Sequence, residues 1–193
     1  MKLDLGCGSH KEQGFVGVDA QKSEGVDVVC DLGAEKWPFA DDSVDEARAS
    51  HVIEHLPGER VDFKLNVDWE RHTHSVARVL TYPRAHFFNE LWRVLKKGAK
   101  ATIVTPCWSS CRAYGDHTHQ WPPVSEFLLF YLDADWRAVH AKHDPVTYTC
   151  NFAHSHDYIA SPAFTGRSQE FMSFATAFYK EAAQDMVATV IKK

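Results

Sequence analysis

Two groups of residues in this chain combine side-chain type and spacing in ways that do chemistry. The first is a glycine turn, Gly6-Cys7-Gly8, entered from the apolar run Leu3-Asp4-Leu5 and followed by Asp19 at the end of a second apolar run, Phe15-Val16-Gly17-Val18. Glycines let backbone N–H groups come close to a ligand. An ionised carboxylate is acceptor-only, so Asp19 can take hydrogen bonds from both hydroxyls of a ribose. That is nucleoside-binding chemistry. The second group is a set of imidazoles and carboxylates. His51, Glu54 and His55 stand at i, i+3 and i+4, one face of a helix, and a later loop brings Asp116, His117 and His119. A histidine with a pKa of about 6.5 suits proton abstraction, and imidazoles converging with a carboxylate suit a divalent metal. His72/His74 and His154/His156 read as solvated loop residues.

The elements that must position these groups follow from the hydrophobic pattern. Leu3–Leu5 and Phe15–Val18 read as strands, and only Ser9 to Gly14 separate the turn from the second of them. A full parallel crossover takes a dozen residues or more, so the first helix is one or two turns at most or is replaced by a loop. Residues 25–32 read as a third strand ending in Asp31. Trp37-Pro38-Phe39 and Asp41-Asp42-Ser43 form a loop, Val44–Ala49 a strand, and Ser50–Leu56 the entry to a helix stopped by Pro57-Gly58. Residues 59–82 read as a polar insertion without a clean period, partly helical around Trp69 to Leu80. Pro83 starts a helix with Phe87, Phe88, Leu91, Trp92, Val94 and Leu95 on its apolar face, ended by Lys96-Lys97-Gly98. Ala101–Pro106 is a buried strand and 107–123 a long loop. Val124–Leu132 is a helix, Thr147–Phe152 a strand, Glu170–Ala183 a helix and Met186–Ile191 a last strand. This alternation predicts an α/β fold, one mainly parallel sheet with helices on both faces.

The chain has 193 residues, 45% hydrophobic and 24% charged, which suits a single domain with a sizeable core. The net charge is −5 and uneven. Residues 1–56 carry 5 Lys/Arg against 12 Asp/Glu, and residues 57–100 carry 9 against 5. The acidic balance does not indicate a nucleic-acid partner, and the basic middle reads either as a solvated face or as a surface that meets an anionic substrate. No run is long enough to span a membrane, and Leu3 already belongs to a strand, so no signal peptide is expected and the expected location is the cytoplasm. Five cysteines without a Cys-x-x-Cys pair read as reduced thiols. Nothing in the sequence assigns an oligomeric state.

The motifs together resemble the class I S-adenosylmethionine-dependent methyltransferases. The resemblance rests on Leu3-Asp4-Leu5-Gly6-Cys7-Gly8, Gly17-Val18-Asp19, Asp31-Leu32, Trp37-Pro38-Phe39…Asp42-Ser43-Val44-Asp45, Ile53-Glu54-His55-Leu56 and Asn89 to Gly98, in the family's order over residues 1–106. It implies a Rossmann-like fold and S-adenosylmethionine as cofactor. Gly6 and Gly8 would face the methionine and ribose portions, with Asp4 and Cys7 completing that wall. Asp19 would hold the ribose hydroxyls. Asp31 would accept from the adenine amino group beside the Leu32 backbone, or else serve only as a cap. His51 follows the fourth strand, where this family places residues touching the cofactor or the reacting substrate. Residues 1–106 would then be the cofactor-binding core, and 59–82 and 107–180 the substrate cover.

The loop Pro106-Cys107-Trp108-Ser109-Ser110…Asp116-His117-Thr118-His119 resembles a Pro-Tyr-Trp-Ser-Ser…Asp-Pro-Thr-His loop in a group of small methyltransferases, with His117 in place of proline. The expected acceptor is a hydroxyl or amine on a small or nucleotide- or sugar-like molecule, with His51, Glu54, His55, Asp116 and His119 as the catalytic candidates. A similar Glu-x-x-Glu-His pattern in small-RNA 3′-end methyltransferases implies an alternative, a metal-assisted RNA or ribose 2′-O-methyltransferase. Its candidate ligands are His51, Glu54, His55, His117 and His119, and the imidazoles favour Zn²⁺, Fe²⁺ or Mn²⁺ over Mg²⁺. A second alternative is a non-catalytic cofactor-binding subunit.

Overall fold

A computed structural model describes residues 1–142 and 148–193. The elements run β1 (Lys2–Leu5), β2 (Val16–Asp19), β3 (Val28–Val29), β4 (Val44–Ser50), β5 (Arg60–Asp68), β6 (Thr73–Thr81), α1 (Pro83–Val94), β7 (Leu95–Pro106), α2 (Arg112–Gly115), α3 (Phe127–Phe130), α4 (Ala134–His140), β8 (Phe152–Ala160), α5 (Gln169–Phe178) and β9 (Ala183–Lys192). Seven strands form one sheet in the order β3-β2-β1-β4-β7-β9-β8. The first five are parallel, and β9 runs antiparallel to both β7 and β8. The mainly parallel α/β architecture expected from the sequence is the one observed.

The core lies on one face of β1, β4 and β7, where the register partners Leu3, Leu5, Ala47, Ala49 and Ile103 are buried, while Lys2, Glu46, Arg48 and Thr102 line a cavity on the other. Phe87, Phe88, Leu91 and Val94 of α1 pack into it at helical spacing. Pro83 opens α1 as expected, since its missing N–H is one the first turn leaves unpaired anyway. The polar face of the helix is also used. Glu90 accepts from the Trp37 N–H (2.7 Å) and from Arg93 Nε and Nη2 (2.8 and 2.7 Å). Arg93 also donates to the carbonyls of Phe39 and Trp37 and to Asp41. One Glu–Arg pair on α1 thus fixes the loop that leads into β4.

Several expectations are corrected. Residues 69–80 are not helical. They belong to a hairpin in which β5 pairs β6 over nine residues, Arg60↔Thr81 to Asp68↔Thr73. The signal was present as the strict alternation Val61, Phe63, Leu65, Val67, the period of a strand. The third strand shrinks to Val28–Val29, and Ser50–Leu56 holds only a 3-10 turn, Ile53–His55. Helix α1 ends at Val94, before the two lysines, because Leu95 already begins β7. Gly98 is no helix cap but sits inside β7 at φ 77°. Only Phe127–Phe130 of the expected helix over 124–132 is α-helical, and α5 stops at Phe178. The strand expected from Thr147 begins at Phe152, and Thr147 itself lies outside the described residues. All five cysteines are free. Among the described residues, no helix is long and apolar enough to cross a membrane.

Burial pushes the Glu90 carboxyl up, but the Arg93 guanidinium and the Trp37 N–H more than offset it, so its pKa lies below the ordinary value. A carboxyl depressed in the folded state stabilises fully above its unfolded pKa of about 4.3, and that stabilisation is lost as pH falls through the folded value. Glu90→Gln should therefore cost about 2 kcal/mol at pH 7. The difference from the unaltered chain should shrink towards pH 3 in denaturant unfolding measured at both pH values.

Candidate active site

The carboxyl ends of β1 and β4 adjoin where the connections of the sheet change direction, the place where open α/β sheets leave a ligand crevice. β1 runs into the turn Gly6-Cys7-Gly8, and the Gly6 and Cys7 N–H groups both donate to the Val18 carbonyl, at 2.7 and 3.3 Å. Gly6 has φ 67°, and a Cβ there would lie 2.2 Å from Val52 Cγ2, so only glycine fits. Gly8 has φ 54°, and a Cβ there would meet nothing within 4 Å. Its N–H donates to Asp19 Oδ2 at 3.0 Å, while Oδ1 accepts from the Gln21 N–H at 3.0 Å. Each oxygen of this half-buried carboxylate keeps acceptor capacity.

The neighbouring candidates divide. Cys7 is half-buried, and burial followed by the Asp4 and Asp19 charges pushes its thiol up, so it stays neutral. Asp4 is buried but engaged with the short crossover: Oδ2 accepts from the Glu12 N–H (2.7 Å), and Arg48 Nε lies 3.6 Å from Oδ1. Asp31 is exposed, and its Oδ1 accepts from the Gly33 N–H at 2.9 Å. It does cap a turn, and as a carboxylate it keeps further acceptor capacity. Leu32 is buried, with its carbonyl taking the Trp37 indole N–H at 3.3 Å.

Past β4 opens a cavity of about 660 Å³ whose lining includes His51, Glu54, His55, Asp116, His117 and His119. His51 occupies the left-handed region at φ 57°, a costly conformation for a residue with a Cβ, while its N–H still donates to the Val104 carbonyl (2.8 Å). Its Nδ1 lies 3.1 Å from Glu54 Oε1. Glu54 is 4% exposed, and its Oε2 accepts from Thr105 Oγ1 at 3.2 Å. That carboxylate raises the His51 pKa against the opposing effect of burial. His55 Nδ1 lies 3.0 Å from Thr118 Oγ1, and its ring meets that of His119 edge-on at 4.8 Å. His119 Nδ1 lies 3.3 Å from the Ala113 carbonyl.

Asp116 orders this loop, since Oδ1 accepts from the Thr118 N–H (2.8 Å) and hydroxyl (2.7 Å), which lower its pKa. Donor atoms of Glu54, His55 and His119 all lie within 4.8 Å of one another, the one such set among the described residues. The five-residue ligand set expected from the sequence is thus not assembled. The His117 side chain is 97% exposed, and His51 reaches the set only through Glu54.

Four residues of this region were missed by the sequence reading. Thr105 binds Glu54. Arg112 lines the chamber and donates to Asp185 Oδ2 at 2.9 Å. Asp185 arrives because β9 pairs with β7 in the register Pro106↔Asp185. Arg84, 3% exposed, donates from Nε to the Ile53 and Leu56 carbonyls (3.3 and 3.1 Å) and from Nη1 to the Pro122 carbonyl (3.0 Å). Its one sequence signal is its place directly after the helix-opening Pro83.

These features define the class I S-adenosylmethionine-dependent methyltransferase fold. Similar solved structures include a SAM-dependent methyltransferase from Archaeoglobus fulgidus, with TM-score 0.58, 17% identity, and 99% of this chain covering 85% of that one. A second is geranyl diphosphate C-methyltransferase from Streptomyces coelicolor A3(2), in complex with Mg²⁺, geranyl diphosphate and S-adenosyl-L-homocysteine, with TM-score 0.54, 14% identity, and 100% of this chain covering 72% of that one. A third is a SAM-dependent methyltransferase from Thermotoga maritima, with TM-score 0.53, 13% identity, and 100% of this chain covering 82% of that one. No protein-family model and no curated protein sequence matches the chain.

Arg84 ties the turn bearing Glu54 to the loop bearing His119. Arg84→Met should remove the guanidinium donor from the Leu56 and Pro122 carbonyls, with the Ile53 carbonyl keeping the Leu56 N–H, and cost about 3 kcal/mol in chemical denaturation. The Gln120 amide, which donates to the Glu54 carbonyl at 2.8 Å, should then exchange faster with solvent deuterium.

Proposed function

We propose that this protein is an S-adenosylmethionine-dependent methyltransferase acting on a hydroxyl or amine of a small or nucleotide- or sugar-like acceptor. The observation that carries the reading is the Gly8 N–H–Asp19 bond at the ligand crevice of this fold. The residues present fit the cofactor. The open space at Gly8 leaves room for a ribose against the turn, and Asp19 keeps the lone pairs to accept from its hydroxyls. Asp31 would meet the adenine amino group beside Leu32. The sulfonium would supply a methyl carbon already activated for in-line displacement.

The chain's own task is then to orient the acceptor and take its proton. His51 is the base of choice. Glu54 fixes its Nδ1, leaving Nε2 as the nitrogen for an acceptor proton. His119, held by the Ala113 carbonyl, orients the acceptor, and Asp116 keeps that loop in place. The segment 107–122 and the base of the β5–β6 hairpin, where Arg60 and Asp62 face Gly33 and Ala34 across a cavity, would provide the cover.

Asp19→Ala should weaken S-adenosylhomocysteine binding more than tenfold by calorimetry. A loss below threefold, about 0.7 kcal/mol, would remove the ribose assignment. A second reading, metal-assisted transfer, is favoured by the proximity of Glu54, His55 and His119. Two imidazoles and a carboxylate suit Zn²⁺, Fe²⁺ or Mn²⁺. Loading with Mn²⁺ or Zn²⁺ should then leave about one ion per chain after desalting, and less than about 0.2 would dispose of it.

A further inference from the structure

A second cavity, of about 560 Å³, borders the reaction chamber, and Cys111 lines both. The walls of this second cavity are aromatic. Trp108 and Tyr114 come from the segment after β7, and Phe178 and Tyr179 from the end of α5. All four rings are exposed, Phe178 by 72%. Phe174 backs two of them, with ring centroids 4.9 Å from Phe178 and 5.8 Å from Tyr179. Large exposed aromatics gathered around one concavity, instead of scattered over the surface, mark a ligand site.

One carboxylate completes the wall. Glu181 adopts φ 63°, the left-handed region that glycine or asparagine normally fills, so a glutamate there is retained at a cost. Its backbone N–H donates to the Ser109 carbonyl (3.3 Å). Its Oε2 accepts from Ser110 Oγ (3.0 Å) and its Oε1 from the Cys111 N–H. The Cys111 N–H, opposed by burial and aided by the Ser110 hydroxyl, holds the Glu181 carboxyl below the ordinary range, so it is anionic at neutral pH. Lys180 also lines the cavity and its charge helps to hold the Glu181 carboxyl down, but among the described residues no lysine or arginine nitrogen lies within 4.0 Å of that carboxylate. Aromatic faces plus one anion are the chemistry that recognises an alkylated ammonium group, through the negative ring faces and a counter-charge.

We propose that this cavity binds an organic cation, the alkylammonium end of the methyl acceptor, between Trp108, Tyr114, Phe178 and Tyr179 with Glu181 as counter-charge. Tyr114 and Gly115 are neighbours on α2, one lining each cavity. A ligand anchored in the aromatic cavity would extend past Cys111 towards His51. The acceptor class is therefore a small molecule with a cationic head and a hydroxyl or amine a few bonds away. This deepens the methyltransferase reading and rests on it, but the cavity can be tested without turnover.

The experiment titrates the protein with choline and with its uncharged isostere 3,3-dimethylbutan-1-ol, following ligand proton signals by NMR. Calorimetry with S-adenosylhomocysteine runs in parallel. Choline should bind at least tenfold more tightly than the isostere. Tyr114→Leu and Glu181→Gln should each weaken choline at least fivefold, Lys180→Met should tighten it, and none should change S-adenosylhomocysteine affinity by more than twofold. Equal binding of the two probes, no binding of either up to 20 mM (roughly 2.3 kcal/mol, from the affinity relation), or indifference to Tyr114→Leu would overturn the proposal. Because Tyr114 is exposed, that variant remains informative if Glu181→Gln loosens the turn. Absence of S-adenosylhomocysteine binding would instead strike the methyltransferase reading and leave the choline result standing.

Discussion

A carboxylate accepting from a backbone amide, Asp19 on Gly8, holds together the part of the molecule from which the rest is arranged. A charge-assisted bond of this kind is stronger than a neutral one. It fastens the end of β2 to the turn that leaves β1. The two Val18 carbonyl bonds from Gly6 and Cys7 keep that turn pressed against the sheet. The approach is so close that side chains are excluded at several points. A Cβ on Gly17 would lie 2.2 Å from the Gly25 carbonyl oxygen, just as one on Gly6 would strike Val52. Backbone packed on backbone replaces the helix that normally fills a first crossover. Asp4 and Arg48 supply the missing support from below by holding residue 12.

The reacting end of the crevice is built differently. Glu54 is a buried carboxylate, which would be costly without partners. His51 and Thr105 provide them, one from the strained end of β4 and the other from the end of β7. Its carbonyl takes the Gln120 N–H, and Arg84 spans from the same turn to Pro122. A short 3-10 turn with two backbone hydrogen bonds of its own, from the His55 and Leu56 N–H groups to the Val52 and Ile53 carbonyls, thereby becomes a fixed platform. A platform of that kind can hold His51 in one orientation, which proton transfer demands.

The β5–β6 hairpin shows the opposite condition. Val61, Phe63, Leu65 and Val76 lie on one face of it and remain exposed. Its alternation was readable in the sequence, yet the segment also carries scattered aromatics and many polar residues, which obscured it. Strand identity here depends on cross-strand pairing between residues up to 21 apart, a contact that local propensity does not encode.

The amino-acid order alone determined the strands around the glycine turn, the placement of Asp19 at a strand end, the helix from Pro83 and the mainly parallel α/β class. Each depends on short-range rules: glycine's freedom at positive φ, proline's fixed φ and the two hydrophobic periods. Tertiary structure alone decided that Asp4 braces a loop, that His117 faces water while His119 turns inward, and that Arg84, Arg112 and Asp185 belong to the site. Those outcomes depend on which distant segments come into contact. Spacing along the chain says nothing of that until the β7–β9 register and the fold of residues 107–122 have brought the segments together.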